Sequence, residues 1–141
     1  MKKKIITDIN YLKQKSEEVS LQEATDIIAD LEDTLKGRRG IGLSAIQIGV
    51  SKRVAIIRIG NQKIDLINPI ITERSGKFRF IKEGCLSIPG LYLNTTRYKD
   101  ITVENNGELF AVYGMESVAI QHETDHMDGI LMINRKWKKR R

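Results

Sequence analysis

His122-Glu123-Thr124-Asp125-His126 is the stretch from which the rest of this chain is read. Residues four apart share one face of an α-helix, so His122 and His126 can hold one metal ion together. Glu123 stands about 100° around the helix from His122, within reach of a water at such an ion. Met115, Val118 and Ala119 precede the histidines at helical spacing, which predicts that both imidazoles point into the body of the domain. Two histidines buried side by side need partners, and a metal supplies one for both. They are the only histidines in the chain.

A catalytic metal site ordinarily takes three protein ligands and keeps one position open. In metallopeptidases built on the same string, the third ligand is a His or Glu lying C-terminal to it. Here the fifteen residues after His126 contain no His, Glu or Cys, and Asp128 is too close to fold back without breaking the helix. The third ligand is therefore expected upstream. Cys85, the only cysteine, lies in Glu83-Gly84-Cys85-Leu86-Ser87 after a short apolar stretch. A thiolate with two imidazoles suits Zn²⁺ or Fe²⁺. A lone cysteine is more often a buried small hydrophobe, and a Cys-His thiol hydrolase would leave the other histidine and Glu123 without a role. Gly40-Ile41-Gly42 is no dinucleotide fingerprint, because the third glycine is missing and a helix, not a strand, precedes the pair.

Three segments, in order, resemble the signature of the peptide deformylases. They are Gly40-Ile41-Gly42-Leu43-Ser44-Ala45-Ile46-Gln47, then Glu83-Gly84-Cys85-Leu86-Ser87, then Gln121-His122-Glu123-Thr124-Asp125-His126. The intervening text is similar as well, including Leu66-Ile67-Asn68-Pro69, and the resemblance runs from the first helix to about Ile133. It implies a hydrolase that removes the N-formyl group from the initiator methionine of new polypeptides. It also implies that Cys85, His122 and His126 ligate one divalent ion, Fe²⁺ in the cell, with Zn²⁺, Ni²⁺ or Co²⁺ as substitutes. A bound water would then become a nucleophile near neutral pH, with Glu123 moving its proton to the departing amine. The family pattern places the Gln47 amide and the Leu86 backbone N–H at the developing oxyanion. It lays the peptide along Gly40, Ile41 and Gly42, with Ile41 and Gly84 exchanging main-chain hydrogen bonds with it. The methionine side chain would enter a pocket of Ile81, Val118 and Ala119, three residues that read equally well as plain core.

Two departures from the pattern bear on the site. Ser44 and Ile46 stand where the family has an alanine and a proline, and losing the fixed φ of proline predicts a looser setting for Gln47. The chain also ends with Arg135-Lys136-Trp137-Lys138-Lys139-Arg140-Arg141, too short for the C-terminal helix of many bacterial members and similar to compact ones, viral members included.

The 141 residues read as one domain, with 135–141 as a basic tail. One cysteine excludes an internal disulfide framework and fits a reducing compartment. No run approaches the roughly 18 apolar residues of a membrane span, and the expected setting is a bacterial or infected-host cytoplasm, as a monomer. Formal charge is +6, concentrated at the two ends, so weak ribosome contact through the tail is an expectation beside that of a merely solvated tail. A rival class is a non-catalytic, metal-stabilised module that binds nascent N-termini or ribosomal RNA.

Local signals predict an α+β fold: small mixed or antiparallel sheets around a central metal-binding helix, with an N-terminal amphipathic helix. Ser20-Leu21-Gln22-Glu23 reads as a capping box opening that helix, and Gly37 as its stop. Strands are expected over 53–59 and 63–67, joined by a turn, with a short strand over 78–81 that delivers Cys85. Residues 87–98 read as a loop around Pro89-Gly90. A hairpin over 101–104 and 109–113 follows, and the histidine helix runs from Gly114 to Gly129.

Overall fold

Val54-Ala55-Ile56-Ile57 is buried along its whole length, and the reason organises the molecule. In the computed structural model, which describes residues 1–139, this segment is the middle strand of a three-stranded antiparallel sheet. The strands are β1 (Gly42–Ser44), β2 (Val54–Ile59) and β3 (Gln62–Ile67). Successive side chains of a strand alternate faces. Val54 and Ile56 meet Ala24, Leu31 and Leu35 of helix α2 (Leu21–Leu35) on one side. Ala55 and Ile57 meet Ala119, Ile120 and Met127 of helix α3 (Gly114–Met127) on the other. A strand covered on both faces reads as a continuous apolar run.

The second sheet is also antiparallel and contains β4 (Ile70–Cys85), β5 (Ile88–Asn105) and β6 (Glu108–Tyr113). Ile101 and Val103 of β5 pack on the same core as α3, so that helix lies between the two sheets. The architecture is α+β with antiparallel sheets, as expected, although a one-turn helix α1 (Ile9–Leu12), capped by Asp8, went unread. Ser20 Oγ accepts from the Glu23 N–H at 3.2 Å, which is the predicted cap of α2.

Two strand expectations fail. The segment expected as a loop over 87–98 belongs to β5, and the strand expected over 78–81 is one quarter of β4. Beyond Glu73 the β4 arm is largely solvent-exposed, so no apolar alternation marks it. On β5 the inward positions include Thr95 and Arg97, polar residues satisfied by Glu83 across the hairpin. Burial without hydrophobicity hid the strand.

Helix α3 is buried on nearly every side of its last three turns, because both sheets cover it. Met115 departs from the expected inward stripe: it is exposed at the helix start, beside the cleft described below. The helix ends before Gly129, whose φ of 73° favours glycine and whose position admits no Cβ beside the Lys13 carbonyl oxygen. Gly129→Ala is therefore expected to cost about 2 kcal/mol or more, read as a lower melting temperature by calorimetry. An unchanged melting temperature would refute this packing of α1 against the helix end.

The tail is not wholly solvated. Arg135 binds Asp125 with Nε at 3.1 Å and Nη2 at 3.0 Å, and the Trp137 N–H donates to the Asn94 carbonyl at 2.8 Å. The expectations on Arg140 and Arg141 lie outside the described residues. No helix among the described residues is long and apolar enough to cross a membrane.

Candidate metal centre and substrate cleft

The turn Leu86-Ser87 between β4 and β5 places Cys85 opposite the buried face of α3. Cys85 Sγ lies 3.4 Å from His126 Nε2, and the two imidazole rings meet edge-on with centroids 4.9 Å apart. One ligand atom from each of Cys85, His122 and His126 falls within 4.8 Å of the other two. Three soft or borderline donors converging in a buried setting suit a tetrahedral divalent ion with one corner left over. The side chains are ready-made for it: His126 Nδ1 is buried without a partner, so this ring is held by packing and not by a competing network.

The neighbouring charges act on the two histidines in opposite directions. Burial disfavours the charged form of His126, and the adjacent His122 and Arg97 add to that, so its pKa falls well below the usual value. A neutral imidazole keeps a lone pair for ligation. Burial also opposes charge on His122, but hydrogen bonds with Cys85 and Glu83 outweigh it and raise that pKa well above the usual value. His122 Nδ1 meets Glu83 Oε2 at 2.7 Å, which directs Nε2 toward the cysteine.

Glu83 belongs to a buried charge network that sequence reading missed. Arg97 donates to both of its oxygens, Nε at 2.7 Å and Nη2 at 2.6 Å, and Thr95 Oγ1 donates at 2.7 Å. Arg97 Nη1 donates to Asp125 at 2.7 Å, and Asp125 also takes Arg135. Burial opposes ionisation of Glu83, yet Arg97 and His122 hold its pKa well below the ordinary carboxylate value. A weak signal for it existed. It is the place of Glu83 two residues before Cys85, within the same matching segment.

Glu123 is also buried, and burial raises its pKa. Its Oε1 accepts from Ser44 Oγ at 3.0 Å, so the hydroxyl that departs from the family pattern is bonded to this carboxylate. Gly42 lies against the same group: a Cβ there would stand 2.6 Å from Glu123 Oε2. Gln47 is set firmly despite the missing proline. Its Oε1 accepts from the Ser44 N–H at 2.9 Å, and its Nε2 donates to Ser87 Oγ at 3.0 Å. Ile46 is fully buried and anchors the intervening turn, which replaces the constraint that proline would supply.

A cleft of about 430 Å³ opens onto these residues. Gly40, Ile41, Gly42, Gln47, Gly84, Cys85, Leu86, Val118, Ala119, His122 and Glu123 all line it. Ile81 does not, contrary to expectation, and is half exposed. A bulge between Phe80 and Glu83 breaks the pairing there, and Phe80 and Lys82 line the cleft instead. The walls are two unpaired sheet edges, β1 on one side and β4 on the other. Such edges offer backbone groups to an extended peptide. The Ile41 carbonyl is taken by the Arg58 N–H at 2.7 Å, which leaves the N–H of Ile41 for that purpose.

Residues 2–141 match the family model described as polypeptide deformylase. A peptide deformylase of Heliobacterium modesticaldum is 41% identical over 114 residues, 77% of this chain and 75% of that one. The crystal structure of peptide deformylase from Thermotoga maritima superimposes with a TM-score of 0.89 at 28% identity, covering 98% and 99% of the two chains. A class I type b peptide deformylase from Acinetobacter baumannii, solved with Met-Ala-Ser bound, gives 0.84 at 27% identity over 96% of this chain and 98% of that one.

Proposed function

The chain belongs to the polypeptide deformylase family, and from that premise we propose how its own residues carry out the reaction. The family activity is metal-dependent hydrolysis that removes the N-formyl group from the N-terminal methionine of new polypeptides, releasing formate. The observation that carries the residue assignment is the convergence of Cys85, His122 and His126 at the floor of a cleft that also contains Glu123 and Gln47.

Cys85, His122 and His126 would hold the divalent ion, with Fe²⁺ as the ion in the cell and Zn²⁺, Ni²⁺ or Co²⁺ as workable replacements. An ion held there would supply Lewis acidity for hydrolysis of the formyl amide. Glu123 takes a proton from the attacking water and later gives it to the departing amine nitrogen. Its burial and the Ser44 hydroxyl hold the carboxylate in one place. As the formyl carbon becomes tetrahedral, the Leu86 N–H and the Gln47 amide meet the growing charge. Gln47 Nε2 donates to Ser87 Oγ at 3.0 Å and makes a long contact of 3.7 Å to Cys85 Sγ, and the oxyanion takes the place of that weaker acceptor. The peptide lies extended between β1 and β4, with Ile41 and Gly84 as main-chain partners and the methionine side chain against Val118 and Ala119. The similar Acinetobacter protein, solved with Met-Ala-Ser bound, supports a short methionyl peptide as the kind of ligand this cleft takes.

The rival module without catalysis has no observation in its favour, because the base and the oxyanion donors accompany the ligands. Of the tail's cations, Lys136, Lys138 and Lys139 are exposed and are the groups that would meet ribosomal RNA phosphates. Formate release from formyl-Met-Ala-Ser, with protein prepared without oxygen and loaded with Fe²⁺ or Ni²⁺, tests the reading. Turnover abolished by a chelator and restored by metal is expected. Bound metal without turnover would defeat the assignment.

A further inference from the structure

The two walls of the cleft become basic as they leave the reacting centre. On one wall the order outward is Gly42, which abuts Glu123, then Ile41, Gly40, Arg39 and Arg38. On the other it is Cys85, Gly84, the inward-turned Glu83, then Lys82. Arg38, Arg39 and Lys82 are exposed, line the cleft, and enter none of the ion pairs among the described residues. The two carboxylates of the lining are already engaged, Glu83 by Arg97 and His122, and Glu123 by Ser44. The rim therefore carries uncompensated positive charge.

The backbone places these cations deliberately. Lys82 has φ of 59°, a conformation rare outside glycine, inside the bulge that breaks β4. Its N–H is held by Asn94 Oδ1 at 3.1 Å. Arg38 is anchored through Nε to the Thr34 carbonyl at 3.0 Å, which leaves its terminal nitrogens for a ligand. An extended peptide advances about 3.3 Å per residue, so its third residue lies roughly 10 Å from the formyl group, well outside the reacting centre. Arg38 and Arg39 lie in the bend that precedes β1 and Lys82 in the bulge of β4, so all three line the cleft outward of Gly40 and Gly84, where the residues after the methionine run.

We propose that Arg38, Arg39 and Lys82 form a subsite for an acidic side chain at the third residue of the formylmethionyl substrate. The inference rests on the deformylase reading and names the substrate class within it. Exposed charge pairs act mainly on encounter and binding, so the preference appears in kcat/KM and weakens with salt.

The test uses metal-loaded protein and C-terminally amidated peptides formyl-Met-Ala-Xaa-Ser, with Xaa Glu, Gln or Lys, so that no terminal carboxylate imitates the ligand. At low salt kcat/KM is expected to fall in the order Glu, Gln, Lys, with Glu over Lys on the order of ten-fold, the scale that two or three exposed charge pairs supply. The ratio should shrink several-fold in 0.5 M salt, roughly as screening at that ionic strength requires. The double variant Arg39→Glu/Lys82→Glu is expected to invert the order. Lys13→Glu/Lys15→Glu makes the same change in net charge outside the cleft and should keep it. Equal kcat/KM for the three peptides overturns the subsite, as does the same inversion in the remote variant. Failure of all three peptides with metal bound overturns the deformylase reading instead. If the rim variant does not fold, as seen by circular dichroism, the single variants Arg39→Gln and Lys82→Gln decide by whether they reduce the Glu-to-Lys ratio.

Discussion

Glu123→Gln lowers kcat for formyl-Met-Ala-Ser by about 10²- to 10⁴-fold, the range that a positioned general acid-base supplies. Gln keeps the shape of the side chain, and its carbonyl oxygen can still accept from Ser44 Oγ, which is 3.0 Å from the native Oε1. Position is therefore preserved and proton transfer alone is removed. Metal content by elemental analysis should be unchanged, because Glu123 is not among the converging donors. The melting temperature should be equal or higher. Burial raises the pKa of Glu123, so the native structure bears a cost for keeping a carboxylate there that a neutral amide does not. A variant that retained full kcat with metal bound would refute the proton shuttle. A variant that lost its metal would instead make Glu123 part of the ligand set.

Arg97→Ala should be the most destabilising single change away from the reacting atoms. Arg97 is almost fully buried and binds two carboxylates, Glu83 through two nitrogens and Asp125 through a third. Removing one partner of a buried ionic network leaves the other charges without compensation and costs about 3–5 kcal/mol. For a chain of this size that is a melting temperature lower by roughly 10 °C or more. Urea unfolding of metal-loaded protein gives the free energy directly. Glu83 also holds His122 Nδ1, so the variant should bind metal more weakly as well, a second readout that a general loss of packing at another site would not produce. A loss below about 1 kcal/mol would mean that the network is solvated in solution, since exposed pairs contribute only that much.

The site was more legible in the sequence than the sheets around it, for a definite reason. His122, Glu123 and His126 lie on one helix, where a fixed 3.6-residue period turns spacing into direction. Cys85 was reached by elimination and by the matching text around it, and the structure brings it to 3.4 Å from His126. β2 was plain because its apolar residues run together. β5 was not, because the residues it buries at Thr95 and Arg97 are polar and their partners lie on another strand. Ile81 was placed by the family resemblance alone; in this structure the cleft is lined by its neighbours Phe80 and Lys82.

Local residue chemistry by itself determined the helix of the histidines, the capped helix at Ser20, the hairpin around Asn105-Asn106-Gly107 and the three candidate metal donors, while the resemblance of three short segments pointed to the family. These rest on short-range periodicity and on which side chains can ligate or accept a proton. Only the tertiary structure decided that Glu83 orients His122, that Arg97 and Asp125 stabilise Glu83, that Ser44 holds Glu123, and that Arg38, Arg39 and Lys82 share one rim. Each of these joins residues distant in the chain through a hydrogen bond or a shared field. Such pairings depend on how strands and helices are packed in space, which residue spacing along the chain does not encode.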